Sequence, residues 1–349
     1  MRFSRCLIFP VIFLAANLVC AQTGKPKVWI YSDVSDKTIP GGNKEGTVND
    51  PDDISAMAGY LLLGNMFDTK GIVVASTHRK EHRHSADQGE WAKSYFGDAY
   101  QKDLPNLNRS IGGYPESHHF IESCIKLSAE LYDPDATYSS LEKYPSVKAL
   151  VDLAERDRDP EPINVLCWGS LTEPAILVNH CLATDKAVVL DKLRFIGHWT
   201  NSSLHQGSRS HPEDVANCRE DSLACAYLKD VAVRGQIRYY ECGAIGQHGI
   251  VSGSPKGHEY FDQFRASHLG RIFIEGKFAY KSVDHSDSAT YWVLLGRWGV
   301  ELDDISKDGT NPPATEIVNE EKFRNNSRRI HDELLRRSRA AAGPSSTNP

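Results

Sequence analysis

The segment Asn49-Asp50-Pro51-Asp52-Asp53 puts three carboxylates within four residues, directly before the apolar run Ile54 to Leu63. Like charges this close repel, so a fold that keeps them ionised and turned inward needs a cation or basic side chains beside them. A hard divalent cation is the economical partner. Calcium takes about 6–8 oxygen ligands, more than this cluster supplies, so other oxygens must come from elsewhere in the chain. The opposing explanation is that these acids only cap and charge the first turn of a helix. Two further acids stand in comparable places. Asp33 follows the apolar run Lys27-Val28-Trp29-Ile30-Tyr31, and Asp287, in Asp284-His285-Ser286-Asp287, precedes the apolar run Ala289 to Leu295.

The elements that would position these acids alternate between strand and helix. Lys27 to Tyr31 reads as a first strand, with Asp33 at its carboxyl end, where open α/β sheets bind ligands. Residues 34–48 are polar and carry Gly41-Gly42 and Gly46, so they read as a loop. A helix follows Asp53, and Gly71-Ile72-Val73-Val74-Ala75-Ser76 is a second buried strand, which makes a βαβ unit and hence a parallel sheet. His78 leaves that strand at its carboxyl end. His82 and His84, among charged neighbours, belong on a solvated helix face. Residues 85–160 read as mostly helical, irregular over 98–114, with helices predicted at 116–131 and 145–157. Ile163 to Cys167 is a third strand, turning through Trp168-Gly169-Ser170-Leu171-Thr172 into a helix. Leu193 to Gly197 is a fourth strand, followed by the polar and aromatic His198-Trp199-Thr200-Asn201, and Ile237 to Glu241 is a fifth. The glycine-rich stretch 243–258 reads as a loop, carrying His248 and His258. Residues 320–339 read as a basic helix and 340–349 as a disordered tail.

Length and composition bound the answer. The 349 residues allow one large α/β domain or two smaller ones, and 40% hydrophobic with 25% charged residues is ordinary for a soluble globular chain. The alternation of strand and helix favours one domain over 22–339, a single open, mostly parallel sheet with helices on both faces. A formal charge of −6 without a long basic stripe argues against nucleic acid as a partner. Arg2, Arg5, the apolar stretch from Cys6 and the small residues Val19-Cys20-Ala21 read as a signal peptide over 1–21, with a lipid anchor on Cys20 as the rival. Export to the periplasm or outside the cell follows, and no membrane span is expected. Six cysteines remain after such cleavage, Cys124, Cys167, Cys181, Cys218, Cys225 and Cys242, an even set that permits disulfides without specifying them.

Asp33 after the first strand, the paired Asp52-Asp53, the turn at Trp168-Gly169 with Leu171-Thr172, and the late Asp287 resemble, in that order, the nucleoside hydrolase family. The likeness extends with gaps from about Lys27 to Gly296, and the exported nucleoside hydrolase-like branch, some of it labelled cellulose-binding, is the nearer match. The resemblance implies a nucleoside hydrolase-like α/β fold and a Ca2+ ion held by Asp33, Asp53, Asp287 and the main-chain oxygen of Trp168. Asp52 would face the ribose and the attacking water. Asn217 resembles a ribose-binding Asn, His78 falls where the family has an Asn after the second strand, and Asn201 stands for another sugar-binding Asn. Trp199 and His285 complete the substrate-binding set. About fifteen residues separate Asp33 from the later acids, so Asp50 competes with Asp33 for the first ligand position, and Ser286 occupies the place before the late Asp where relatives carry a leaving-group His.

The implied activity is calcium-dependent hydrolysis of an N-glycosidic bond in a nucleoside or related glycoside. Carboxylates stabilise the oxocarbenium-like centre, and Asp33 or Asp52 takes a proton from water. His248, His258, His285 and Trp199 are the candidates to assist the leaving group. A carbohydrate-binding protein that keeps the fold and the metal without catalysis is the alternative. The sequence is compatible with a homo-oligomer.

Overall fold

The computed structural model describes residues 24–343, so the predicted signal peptide lies outside the described residues, as does the tail from 344. Six parallel strands form the main sheet: β1 (Lys27–Tyr31), β2 (Asp68–Val74), β3 (Phe120–Glu122), β4 (Ile163–Cys167), β5 (Leu193–Gly197) and β6 (Tyr239–Glu241), in the spatial order β3-β2-β1-β4-β5-β6. A small antiparallel hairpin, β7 (Phe278–Ala279) and β8 (Ser282–Val283), stands apart.

β1 is buried along its whole length because it is central and covered on both faces. Its side chains alternate between two cores. Val28 and Ile30 face one core with the helix Asp52–Leu62 and the terminal helix, whereas Trp29 and Tyr31 face another built from the helices Pro145–Arg156, Thr172–Ala183 and Ser222–Val233. The order of strands reverses between β1 and β4, the topological switch point of an open parallel sheet. Adjacent connections leave there in opposite directions and open a crevice beyond the strand ends. Asp33 and the Trp168-Gly169 turn stand at that crevice.

Several expectations need correction. The predicted helix at 116–131 is the edge strand β3 followed by a 3-10 turn at Ser128–Glu130, whereas the irregular stretch 98–114 is helical over Asp98–Ser110. Phe120-Ile121-Glu122 pairs with Ile72 to Val74, and tertiary pairing of this short segment overrides its local preference. His82 is buried instead of solvated, with its Nε2 3.3 Å from Asn49 Nδ2. The glycine-rich 243–258 contains a π-helical turn, Gly246–Val251. The terminal helix runs from Pro313 to Ala342, longer at both ends than its basic stretch suggests, and takes in three residues of the expected tail. Arg337 anchors it, donating to Leu62 O at 3.1 Å, Asn65 Oδ1 at 2.6 Å and Tyr114 Oη at 2.8 Å, so a charged side chain caps the carboxyl end of the helix that starts at Asp52.

Candidate functional site

Asp52 and Asp53 open their helix without serving as its cap, since no side chain caps it at Pro51, and their carboxylates are available to the crevice. Asp287 sits in a 3-10 turn, Ser286–Ser288, that leads directly into the helix Ala289–Leu295. One carboxylate oxygen from each of Asp52, Asp53 and Asp287 lies within 4.8 Å of the others. Asp33 joins from the end of β1, its backbone held by Asn49, which donates to Asp33 O and lies 3.1 Å from Ser35 Oγ. Asp33 rests on the Trp168-Gly169 turn: a Cβ on Gly169 would lie 2.6 Å from Asp33 Cβ, so the glycine is required for this approach. Trp168 is buried with its amide bonded to Tyr31 O at 2.8 Å and its indole donating to Thr290 Oγ1 at 2.7 Å. The turn is fastened from below by Glu173, which accepts from Ser76 Oγ at 2.6 Å, Ser123 Oγ at 3.0 Å and Ser146 Oγ.

Burial, followed by repulsion from Asp53, holds the Asp33 carboxyl well above the usual carboxylate range. Burial and the neighbouring Asp287 and Asp52 do the same to Asp53, and burial and Asp52 to Asp287. Ser32 Oγ donates to Asp53, but among the described residues no Lys or Arg pairs with Asp33, Asp53 or Asp287. The nearest basic group to Asp287 is His198, 3.7 Å away through Nε2, and burial lowers its pKa to about 4, so it stays neutral. A buried set of hard oxygens without a counter-charge is the donor chemistry that a calcium ion fits. Asp52, Asp53 and Asp287 are the carboxylates brought within reach of one ion, with Asp33 beside Asp53.

Asp50 takes a different place. Lys277 Nζ pairs with Asp50 and lies 3.4 Å from Asp52 Oδ2 and 3.7 Å from Asp284 Oδ2. Burial opposes the Lys277 charge, yet Asp52, Asp284 and Asp50 together hold it protonated above an ordinary lysine. Burial and Asp52 push Asp50 up to about 7, and Asp284 rises to about 6 for the same two causes. Two adjoining charge systems thus meet at Asp52: the buried Asp33, Asp53 and Asp287, which no Lys or Arg of the described residues pairs, and the lysine-centred set of Asp50, Asp52 and Asp284.

Asp33, Asp50, Asp52, Asp53, Lys277 and Asp287, but not the fully buried Asp284, line a cavity of about 600 Å³ whose wall includes His198, Trp199, Asn217, Gln247 and Ser286. Asn217 donates to His198 O at 2.7 Å, and its loop is tied to the following helix by the Cys218–Cys225 disulfide. Of the residues predicted from sequence, the structure gathers Asp33, Asp52, Asp53, Trp168, Trp199, Asn217 and Asp287 around this cavity. His78 stays outside the lining, 3.7 Å from Glu220 Oε2, while Glu220 and Arg79 line it instead. Asn201 is buried off the cavity, its carbonyl accepting from Asn311 at 2.9 Å. His285 is a core residue, with Nδ1 2.9 Å from Ser288 Oγ and Nε2 2.9 Å from His331 Nε2, and it does not line the cavity. His248 and His258 also lie off the lining. Lys277 and Gln247 were missed: one precedes a two-residue strand and the other lies in a glycine-rich stretch, so neither carries a motif.

Residues 46–197 match the family model described as cellulose-binding Sde182, nucleoside hydrolase-like domain. That match contains the Asp50–Asp53 cluster and the Trp168-Gly169 turn but neither Asp33 nor Asp287. Among solved structures, 37 chains match. One is a nucleoside hydrolase-related hypothetical protein from Saccharophagus degradans that is associated with carbohydrate metabolism, 16% identical, with a TM-score of 0.61 over 91% of this chain and 72% of that chain. Another is the effector protein XOO4466, 10% identical, with a TM-score of 0.46 over 91% of this chain and 94% of that one. No curated protein matches. The chain has a nucleoside hydrolase-like α/β fold, and the resemblance read from its residues holds.

Proposed function

We propose that this chain is an exported, calcium-dependent hydrolase of glycosidic bonds, acting on a nucleoside or a related glycoside. The observation that carries the reading is the convergence of Asp33, Asp53 and Asp287 at the β1/β4 switch point, buried and without a basic partner. A calcium ion there would neutralise the cluster and hold sugar hydroxyls by their oxygens. Asp52 is the base, because its carboxylate reaches the cavity beside the cluster and keeps Lys277 at 3.4 Å and Ser286 Oγ at 3.4 Å. It accepts a proton from the attacking water while the neighbouring carboxylates stabilise positive charge developing on the sugar. Asn217 and Gln247 orient hydroxyls. His198, neutral, can donate one N–H without changing the charge of the site. The buried Cys218–Cys225 disulfide supports an oxidising compartment. No described helix is long and apolar enough to cross a membrane.

A sugar-binding role without turnover is the second reading. It is favoured by Lys277 occupying the approach to Asp52, by Ser286 standing before Asp287, and by the cellulose-binding label of the matching family. Release of reducing sugar from a panel of nucleosides and aryl glycosides, with calcium and with chelator, separates the two. Turnover abolished by chelator is expected. Calcium-dependent sugar binding with no release from any member of the panel would establish the second reading, and sugar release indifferent to chelator would remove the metal from the mechanism.

A further inference from the structure

A second group of metal-ligating side chains stands where the terminal helix meets the segment after β5. Glu316 and Glu320, one turn apart on that helix and both buried, converge with His205, and one ligand atom from each lies within 4.8 Å of the others. His205 Nε2 bonds to Glu320 Oε1. None of the three lines the carboxylate cavity, so the group is separate from Asp33, Asp53 and Asp287.

The protein satisfies this group only in part. Glu316 is fully buried and held by neutral donors, Ser202 Oγ at 2.9 Å, Ala244 N at 2.7 Å and Asn311 Nδ2 at 2.8 Å. They fix its orientation without supplying a charge, and burial pushes its carboxyl up to about 7 in spite of them. Glu320 is 6% exposed and accepts no hydrogen bond from outside the group: Arg324 stays 3.8 Å from its Oε2 and directs a donor to His248 O at 2.9 Å instead. A buried carboxylate whose partner lies only within its own cluster is an unmet requirement. A protonated His205 would answer one carboxylate and leave the other.

The ligand types decide which cation fits. Calcium and magnesium take oxygen ligands, whereas an imidazole with two carboxylates suits zinc and its neighbours. Zinc holds nitrogen and oxygen ligands at about 2.0–2.2 Å, which puts tetrahedral corners about 3.4 Å apart, so a small contraction of side chains closes the spacing seen here. His205 is set for it. His248 stacks on one face of its ring at 3.7 Å with the planes 2° from parallel, and its side chain, 22% exposed, leaves one side open for water as a fourth ligand.

We propose that His205, Glu316 and Glu320 bind one zinc-class divalent ion, apart from the carboxylate cavity, which clamps the segment after β5 to the terminal helix. Gln206, next to His205, lines the carboxylate cavity, so the clamp also steadies part of that wall. The assignment does not depend on what the cavity binds.

The test is titration of the untagged full chain with Zn2+ in excess calcium, read by calorimetry and by the visible spectrum of the Co2+ form. Binding of one ion with a micromolar or lower Kd, and cobalt absorption of a four-coordinate site, are expected. In His205→Ala and in Glu320→Gln the Kd should rise at least about a hundredfold, since losing a ligand costs more than losing an outer partner. Thermal melting without zinc confirms that each variant folds, and the zinc-induced rise in melting temperature should vanish in both. No zinc binding by the native chain, or affinity unchanged in both variants, would overturn the site and leave the calcium reading of the cavity untouched. Zinc binding that survives His205→Ala but is lost in Asp53→Asn would overturn it too, by assigning the ion to the carboxylate cavity.

Discussion

Asp53 and Lys277 respond to charge removal in opposite ways, because one lacks a counter-charge and the other has three. Replacing Asp53 by Asn removes a like charge from a buried cluster, so the calcium-free protein at pH 8 should gain about 1–2 kcal/mol of stability. In saturating calcium the same variant should lose stability and bind the ion more weakly, because an oxygen charge has left its shell. Melting temperatures measured with calcium and with chelator check both signs, and a variant that shifts alike in the two would remove Asp53 from the metal site. Lys277→Met strands Asp50, Asp52 and Asp284. It should destabilise by about 2–3 kcal/mol in urea melts, below the range for a fully buried pair because Asp50 is nearly half in solvent. The sequence showed the acids and their repulsion. It did not show Lys277, because a lone lysine more than two hundred residues after Asp50 has no local pattern that ties it to the cluster.

Each acid reaches the site on a different element, and glycines set how closely those elements approach. Gly169→Ala would drive a methyl against Asp33 Cβ and its backbone nitrogen at 3.1 Å, and neither is a flexible side-chain end. Calcium affinity should fall about tenfold by titration calorimetry, because one ligand is displaced while the others stay. Unchanged affinity would mean that Asp33 does not bind the ion and would return Asp50 to consideration. Gly246 does the same for the turn that carries Asp287, since a Cβ there would lie 1.9 Å from Ser286 O. Strands β1, β4 and β5 were legible because buried parallel strands are continuous apolar runs, and 163–167 and 193–197 match to the residue. The edge strand β3 was not, since only three residues pair and so short a segment carries no strand periodicity of its own. His285 was misread because one residue of register on a 3-10 turn separates a side chain facing the cavity from one packed on His331.

At the scale of the whole molecule the cluster sets how stability depends on pH. Asp33, Asp53 and Asp287 have folded pKa values raised above their unfolded ones, so without calcium the stability they contribute is full below the ordinary carboxylate range and is lost as pH rises through the raised values. Asp284, at about 6, and Asp50, at about 7, extend that loss toward neutrality. A calcium ion in the proposed site would bind the ionised form, so the stabilisation it gives should grow with pH. The melting temperature gained in excess calcium should be several degrees larger at pH 8 than at pH 5. A gain equal at both would show that binding releases no protons and that the cluster is already ionised. Local patterning determined the apolar strands, the acids at their ends and hence the α/β class, because periodicity and the grouping of like charges are properties of neighbouring residues. Only the tertiary structure decided that Asp33, Asp53 and Asp287 meet while Asp50 turns to Lys277. Those placements depend on the order of strands and on the close approach of glycines, and neither is a function of sequence distance.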